Sequence, residues 1–213
     1  IIAAAEGDAA EASPTAIRSR SDSPATLYGR WWHSLFEAVA WHEGIEDAER
    51  LFQERQPQSP DPARSAAGWK LVGKLFGQPI LQRFILSDSA HAHAEFPFSW
   101  CINRSAVLEG VIDLLVIDVA AGRCLLLDWK TNRVAKRDVE TLRMHYRPQI
   151  AAYAKAVGAI TRLEVEAGLY STATGELLMF SAAELETEWT RLARLPDEQM
   201  RMAVAPDDSP ARI

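Results

Sequence analysis

Two aspartates and a lysine interrupt an otherwise apolar hairpin in the middle of the chain. The segment GVIDLLVIDVAAGRCLLLDWKTN, residues 110–132, predicts strands at 111–119 and 124–129, joined by turn residues 120–123. The charged residues that interrupt these strands are Asp113, Asp128 and Lys130. A buried charge without a partner loses more solvation free energy than a strand gains from it, so such groups usually bind a metal ion or pair with an opposite charge. The hairpin therefore indicates a site.

Hairpin geometry predicts that the three charged side chains share one face of the sheet. Residues two apart along a strand point the same way, as do residues opposite each other in an antiparallel pair. A two-residue loop at 121–122 sets Asp113 opposite Lys130, whereas a loop at 120–121 sets it opposite Asp128. A loop one residue longer or shorter would turn Asp113 to the other face. Two carboxylates and an ammonium on one face can hold a hard divalent cation and still meet a phosphate.

The rest of the chain alternates between helical and strand periodicity. Apolar spacing of three and four residues predicts helices from Leu27 onwards, at 47–56, at 63–86 with a break near 77–79, at 139–157 and after a capping Ser181. Further strands are predicted at 93–100, 163–171 and 175–181. The order predicts an α/β fold, in which helices flank a central mixed β-sheet and an N-terminal helical segment precedes it.

Composition restricts the class of protein and its compartment. The chain has 213 residues, of which 48% are hydrophobic and 24% charged, enough for one real core. A net charge of -6 argues against nucleic-acid binding over the whole surface, but not against a local basic path. Cys101 and Cys124 show neither metal-ligand spacing nor a disulfide framework. No apolar run approaches the roughly 20 residues that cross a bilayer, and no signal peptide is present. We expect a cytoplasmic protein without a membrane partner.

The ends of the chain differ from its middle. Residues 1–26 are rich in Ala, Ser, Glu, Asp and Pro without apolar periodicity, which predicts a flexible linker or tether. The chain starts at Ile1 without a methionine, so we expect a fragment that lacks its N-terminal neighbour, although a processed or tag-cleaved start would look the same. We place the main domain at 27–195 and a C-terminal tail at 196–213.

Four short motifs, in order on the predicted elements, resemble those of the RecB-like branch of the PD-(D/E)xK nuclease superfamily. Gly110 and Asp113, followed by Asp128-Trp129-Lys130, resemble its GxxD and DxK motifs, with Trp129 where tyrosine is commoner. QIAAY at 149–153 resembles QxxxY, and GRWWHSLFE at 29–37 is similar to the first motif, which carries a histidine. The strings LLDWKTNRV and YRPQIAAYAKAV look most like the C-terminal nuclease domain of AddA-type helicase-nucleases. The resemblance covers residues 28–194 and implies a restriction-endonuclease-like core.

The resemblance also implies an activity and a set of site residues. The activity is metal-dependent hydrolysis of DNA phosphodiester bonds by an exonuclease domain that uses Mg²⁺ or Mn²⁺. The implied metal ligands are His33, Asp113, Asp128 and the backbone carbonyl of Trp129. Lys130 would position or activate the nucleophilic water, while Gln149 and Tyr153 would line the strand path. An imidazole ligand favours Mn²⁺, although Mg²⁺ is more available in cells.

Two of the candidate ligands have alternative interpretations. His33 follows two tryptophans on an apolar helix, where a histidine is often part of the core. Glu95 could be a further acid near the metal or a polar residue on an edge strand. The residues alone leave both alternatives open.

Basic residues are concentrated directly after the second charged strand. Seven lysines and arginines stand against two acids between Lys130 and Lys155, which suits contacts to phosphates, although a solvated helix face would show the same charges. The expected DNA-binding residues are Arg133, Lys136, Arg137, Arg143 and Arg147. Tyr146 could stack on a base of a single strand. Without a sequence-reading helix or a zinc finger, cleavage should be independent of sequence.

The AddA-like strings imply the partners of the domain. They are single-stranded DNA, helicase domains that precede the nuclease in the same chain, and a second helicase-nuclease subunit, all acting in double-strand-break repair and recombination. One alternative is a catalytically silent relative that binds DNA or scaffolds a helicase. Another is an interaction domain in which Lys130 merely neutralises the two aspartates. The intact set of two aspartates and a lysine favours the enzyme.

Overall fold

A five-stranded mixed sheet separates two hydrophobic cores in the part of the chain that the structure describes. The computed structural model describes residues 23–103 and 106–205. The strands, which lie in chain order across the sheet, are β1 (Ala90–Cys101), β2 (Val107–Asp118), β3 (Arg123–Lys130), β4 (Glu164–Ser171) and β5 (Leu177–Phe180). Only β3 and β4 pair in parallel, because a helix crosses over between them.

Helices cover both faces of this sheet. On one face lie α1 (Pro24–Glu37), α2 (Ile45–Arg55), α3 (Pro62–Phe76) and α4 (Pro79–Ile85). On the other face lie α5 (Val139–Thr161), α6 (Ala182–Leu192) and α7 (Asp197–Val204). Short 3₁₀ turns occupy Gln56–Gln58 and Lys136–Asp138. The predicted α/β architecture with an N-terminal helical segment is confirmed.

None of the described helices is long and apolar enough to span a bilayer.

The predicted elements agree with the observed ones except near their ends. The predicted helical break at 77–79 separates α3 from α4, and α5 runs unbroken through Pro148. Ser181 forms the predicted capping box, since its hydroxyl accepts from the Glu184 N–H and its own N–H donates to Glu184. β1 lies at the sheet edge, where a proline in the strand is tolerated.

The helices extend beyond the predicted bounds of the main domain. Residues 24–26, within the predicted linker, form the first turn of α1, while the rest of that linker, 1–22, lies outside the described residues. In the predicted tail, Asp197–Val204 forms α7, and Val204 is buried against the core beside α5. This short helix carries too few apolar residues for its periodicity to reveal it.

The β2–β3 register decides between the two predicted hairpin arrangements. The ladder pairs Leu114 with Leu127 and Asp118 with Arg123, so the next pair in the same register is Asp113 with Asp128. The loop at 120–121 is therefore correct. The Asp118 carboxylate accepts from the Ala121 N–H at 3.0 Å and so closes this turn.

Strand β3 is buried on both faces, and its residues alternate between the two cores. Leu125, Leu127 and Trp129 pack against the N-terminal helices, whereas Cys124 and Leu126 pack against α5. Asp128 and Lys130 continue this second parity, so both face α5. The double burial explains the nearly continuous apolar run of the sequence.

Trp129 ties the end of β3 to the N-terminal helices. Its ring stacks on Trp41 with centroids 5.4 Å apart and lies 4.8 Å from the ring of Phe36 on α1. Phe36 stands one turn from His33 on the same helix. The middle residue of the DxK motif therefore positions α1 beside the charged end of the strand.

Gly110 allows helix α5 to approach the β1–β2 hairpin closely. A Cβ atom at this position would lie 2.5 Å from the hydroxyl oxygen of Tyr153 and 2.9 Å from the ring of Phe98. Both distances are shorter than real side-chain contacts. The glycine of the GxxD motif is thus required by the tyrosine of the QxxxY motif.

We predict that Gly110→Ala destabilises the protein by about 1–3 kcal/mol, because the added methyl group forces Tyr153 out of its position. Urea unfolding measures this free energy. Gly73→Ala on α3 is the control, since nothing lies within 4 Å of the added methyl there and the helix should gain about 0.5–1 kcal/mol. Combining Gly110→Ala with Tyr153→Ala should cost less than the sum of the two. Simple additivity would contradict the proposed contact.

Candidate active site

His33 of α1, Glu95 of β1 and Asp113 of β2 come together beside the end of β3. The His33 Nδ1 atom is 3.1 Å from Glu95 Oε1 and 3.4 Å from Asp113 Oδ1. One potential ligand atom from each of the three residues lies within 4.8 Å of the other two. A nitrogen and two carboxylate oxygens at this spacing can surround one cation.

The two carboxylates favour a positive charge at this position. Burial lowers the pKa of His33, but the hydrogen bond and charge of Asp113, followed by those of Glu95, outweigh it and raise that pKa to about 9. Burial also raises the pKa of Glu95, against the attraction of His33. A protonated imidazole therefore offsets part of the negative charge of the two acids.

Local geometry constrains the two acids of this cluster in different ways. Asp113 is buried, and its Oδ2 accepts a hydrogen bond from the Trp129 N–H at 2.5 Å. Glu95 has a φ of 46°, and the β1–β2 ladder skips the pair that it would form with Asp113. A left-handed conformation in such a residue costs about 1–3 kcal/mol and is often found at functional sites.

Asp128 and Lys130 form a buried ion pair on the face of β3 that points to α5. The Lys130 Nζ atom is 2.9 Å from Asp128 Oδ2, donates to Gln149 Oε1 at 3.4 Å, and lies 3.9 Å above the ring of Tyr146. Burial raises the pKa of Asp128, and the positive charge of Lys130 opposes that rise. The ammonium is therefore held in one place by a charge, an amide and an aromatic ring.

Helix α5 supplies the other predicted site residues. Gln149 contacts Lys130 directly, whereas Tyr153 packs against Gly110 and edge-on to Phe98. The prediction that Tyr146 could stack on a base is wrong, because its ring is fully buried beneath Lys130. An aromatic ring on the inner face of a helix gains more from the core than from solvent.

The residues present fit a hard divalent cation. Three acids, Glu95, Asp113 and Asp128, stand against the one lysine and the histidine, and oxygen-rich sets with one imidazole suit Mg²⁺ or Mn²⁺. The Trp129 side chain is buried on the opposite face, so only its backbone can face the site.

The observed cluster includes Glu95, which is absent from the predicted set of metal ligands. Asp128 lies outside the three-residue cluster, and its role as a ligand, like that of the Trp129 carbonyl, stays a prediction. Glu95 stands opposite Asp113 in the β1–β2 register. That register depends on the connection between the two strands, where the Asn103 side chain accepts a hydrogen bond from the Ala106 N–H at 3.0 Å.

The five predicted DNA-binding cations have different environments. Lys136 and Arg137 are exposed, and Arg133 is exposed beside Asp61. By contrast, Arg143 contacts Glu184 at 2.7 Å, and Arg147 contacts the buried Glu188 at 2.9 Å, both on α6. A phosphate at these two arginines would compete with carboxylates already in place. Their role in DNA binding stays a prediction.

Two curated proteins have sequences similar to part of this chain. An ATP-dependent helicase/nuclease subunit of Acetivibrio thermocellus is 28% identical over 147 residues, which cover 62% of this chain and 11% of that protein. The protein of the same name from Carboxydothermus hydrogenoformans is 26% identical over 119 residues, covering 50% of this chain and 10% of that protein. The chain thus matches about a tenth of the length of these curated relatives.

The fold and the family are supported by two further comparisons. A crystal structure from Eubacterium rectale, of a protein provisionally described as an exonuclease, superposes with a TM-score of 0.51 at 11% identity, covering 85% of this chain and 68% of the other. The profile of the PD-(D/E)XK nuclease superfamily matches residues 10–211, nearly the whole chain. All four motifs of the sequence lie within the matched residues. The chain belongs to the PD-(D/E)XK nuclease superfamily.

Proposed function

We propose that this domain is a divalent-metal-dependent deoxyribonuclease that hydrolyses single-stranded DNA as an exonuclease. The observation that carries the proposal is the partly buried cluster of His33, Glu95 and Asp113 beside the buried Asp128–Lys130 pair, in a chain of a nuclease superfamily. Gathering three acids at one strand end, two of them buried, costs stability, and a bound cation offsets that cost.

The acid cluster is the proposed site of Mg²⁺ or Mn²⁺. His33, Glu95 and Asp113 would hold the ion, with Asp128 and the Trp129 carbonyl as further ligands. When bound, the ion would lower the pKa of a water molecule and offset charge that develops on the phosphate. The Trp129 N–H donates to Asp113 Oδ2, so the other oxygen of that carboxylate, Oδ1, remains directed towards His33 and the site.

Lys130 is proposed to orient the attacking water and to offset charge in the transition state. Its contacts with Asp128, Gln149 and Tyr146 fix the ammonium before a substrate arrives. Gln149 would act as a positioning residue through its amide oxygen. Tyr153 would keep α5 at the spacing that this contact requires.

The proposed context is a helicase that delivers the strand. The curated relatives are named as helicase/nuclease subunits, and the chain matches only a small part of their length. We therefore infer that helicase domains precede this domain in the same chain and that it works with a second helicase-nuclease subunit in double-strand-break repair and recombination. A cytoplasmic location is part of the same proposal.

Divalent metal should switch this activity on. We predict that the purified protein degrades linear single-stranded DNA of mixed sequence in the presence of Mg²⁺ or Mn²⁺ and stops when EDTA is added. Gel analysis of end-labelled substrate measures the reaction. Calorimetric titration with Mn²⁺ provides the companion measurement. Metal binding without cleavage would indicate a silent DNA-binding or scaffolding domain, and the absence of both would indicate an interaction domain.

Substitutions of Asp113 and Lys130 should have different effects on metal binding. We predict that Asp113→Asn loses both Mn²⁺ binding and cleavage, whereas Lys130→Met loses cleavage by about 100-fold or more while its Mn²⁺ affinity changes little. The ammonium is a positioned charge and no ligand, which is the reason for the difference. Lys70→Met, at an exposed position of α3, is the control and should behave like the parent. Equal loss of Mn²⁺ binding in both variants would show that the role assigned to Lys130 is wrong.

A further inference from the structure

A second concave surface lies next to the proposed active site. The α1–α3 cleft, a space of about 660 Å³ between α1, α3 and the loop after β3, is lined by Tyr28, Arg64, Arg133 and the β4–β5 turn at Thr172. Its volume is within the range of roughly 300–1,000 Å³ that ligand sites in proteins occupy. The acid cluster and the Asp128–Lys130 pair are not part of its lining.

Backbone contacts connect the α1–α3 cleft to the catalytic strand. Arg64 Nη2 donates to the Thr131 carbonyl at 2.6 Å. The N–H of Thr172 donates to the Lys130 carbonyl at 3.0 Å, and the Thr172 hydroxyl donates to the same oxygen at 3.4 Å. A molecule in the cleft would therefore contact residues that are hydrogen-bonded to the backbone of Lys130 and Thr131.

The charges in the α1–α3 cleft favour an anion. The Arg64 guanidinium lies 3.9 Å from the centre of the Tyr28 ring, and Arg133 has 75% of its side chain exposed. Asp61 pairs with Arg133 at 3.5 Å and is the one carboxylate in the described lining, so two guanidiniums stand against one acid. Burial and then the charge of Arg133 lower the pKa of Arg64. An anion between the arginines would relieve this repulsion.

The lining also matches the rest of a nucleotide. Apolar atoms from Leu71 and Val134 accompany the two guanidiniums, so a sugar or base could pack where the phosphate is bound. On α5, by contrast, Arg143 and Arg147 are already paired with acids of α6.

We propose that the α1–α3 cleft binds a phosphate group of the substrate strand together with the nucleotide that carries it. The strand then passes Arg133 and Arg64 as it enters or leaves the active site, and α5 contributes its ion pairs to the packing of α6. This inference rests on the proposed nuclease function, and it adds the place where the DNA backbone is held outside the reacting centre.

Two kinds of substitution test the cleft without disturbing the core. Arg133→Gln removes an exposed guanidinium, and Arg50→Gln removes an exposed, acid-paired arginine of α2 as the matched control. Ala67 lines the cleft on an exposed part of α3, so Ala67→Glu and Ala67→Lys place opposite charges there on the same helix. Circular dichroism and urea unfolding confirm that each variant is folded.

The measurement is the affinity for a fluorescent oligothymidylate without divalent metal, at low and moderate salt. We expect Arg133→Gln and Ala67→Glu to weaken binding roughly fivefold to tenfold and Arg133→Gln to lower the salt slope by about 0.7, since one phosphate contact is lost. Ala67→Lys should bind at least as tightly as the parent, and Arg50→Gln should match the parent. Parental affinity in both Arg133→Gln and Ala67→Glu would overturn the proposal, as would equal weakening by Ala67→Lys and Ala67→Glu.

Strands with different ends distinguish the source of the phosphate. If Arg133→Gln weakens binding equally for 5′-phosphorylated, 5′-hydroxyl and circular single strands, the cleft binds an internal phosphodiester. If it weakens binding only of the 5′-phosphorylated strand, the cleft binds a terminal phosphate. Either result supports phosphate binding in the cleft. DNA binding is measured without metal and does not depend on cleavage. A parent protein that does not cleave DNA would therefore contradict the proposed nuclease function, while the binding measurement would still test the cleft.

Discussion

Two carboxylates, those of Asp113 and Asp128, are buried at one end of a sheet that is covered by helices on both faces, and the half-buried Glu95 lies beside them. The rest of the site follows from that constraint. Lys130 neutralises Asp128, while His33 is drawn between Glu95 and Asp113. The sheet cannot solvate these charges, so each must find a partner nearby. Asp128 pairs with Lys130 of the same strand, and the other two acids pair with His33 of α1. Gln149 of α5 contacts the lysine, so the site depends on the folding of the whole domain.

Trp129 shows how the apolar and polar parts of the domain depend on each other. Its ring packs in the N-terminal aromatic core, and its backbone N–H, on the same residue, binds the Asp113 carboxylate. On the other face of the sheet, Gly110 and Tyr153 set the position of α5, because a residue without a side chain lets the helix approach the hairpin. Packing thus sets the distances between charged groups, which electrostatics alone would leave loose.

Much of the site could be predicted because strand parity is strict. A side-chain period of two places Asp128 and Lys130 on one face from their spacing alone, and Asp113 joins them once the length of the hairpin loop is assigned. The sequence leaves the register open because the turn consists of small residues, and the structure shows that Asp118 closes it through a side-chain hydrogen bond. Glu95 could not be assigned, since its place depends on its own left-handed conformation and on the register between β1 and β2.

The partners of the basic residues could not be predicted from the sequence. The concentration of basic residues on α5 is evident there, but the acids that pair with two of them lie some forty residues later, on α6. Pairings over such separations depend on tertiary packing and have no local pattern. The same holds for Tyr146, whose burial beneath Lys130 follows from the rotation of α5 against the sheet. Sequence periodicity places residues on an element more reliably than it identifies what they face.

The central claim is that the acid cluster is a metal centre, and Mn²⁺ located by anomalous scattering tests it most directly. Crystals soaked in Mn²⁺ should show an anomalous peak about 2.0–2.3 Å from oxygens of Asp113 and Glu95 and from a ring nitrogen of His33. The His33 ring would then exchange its contacts with the two carboxylates for a contact with the ion. No peak at this position at saturating Mn²⁺, with His33 still bonded to both carboxylates, would contradict the account.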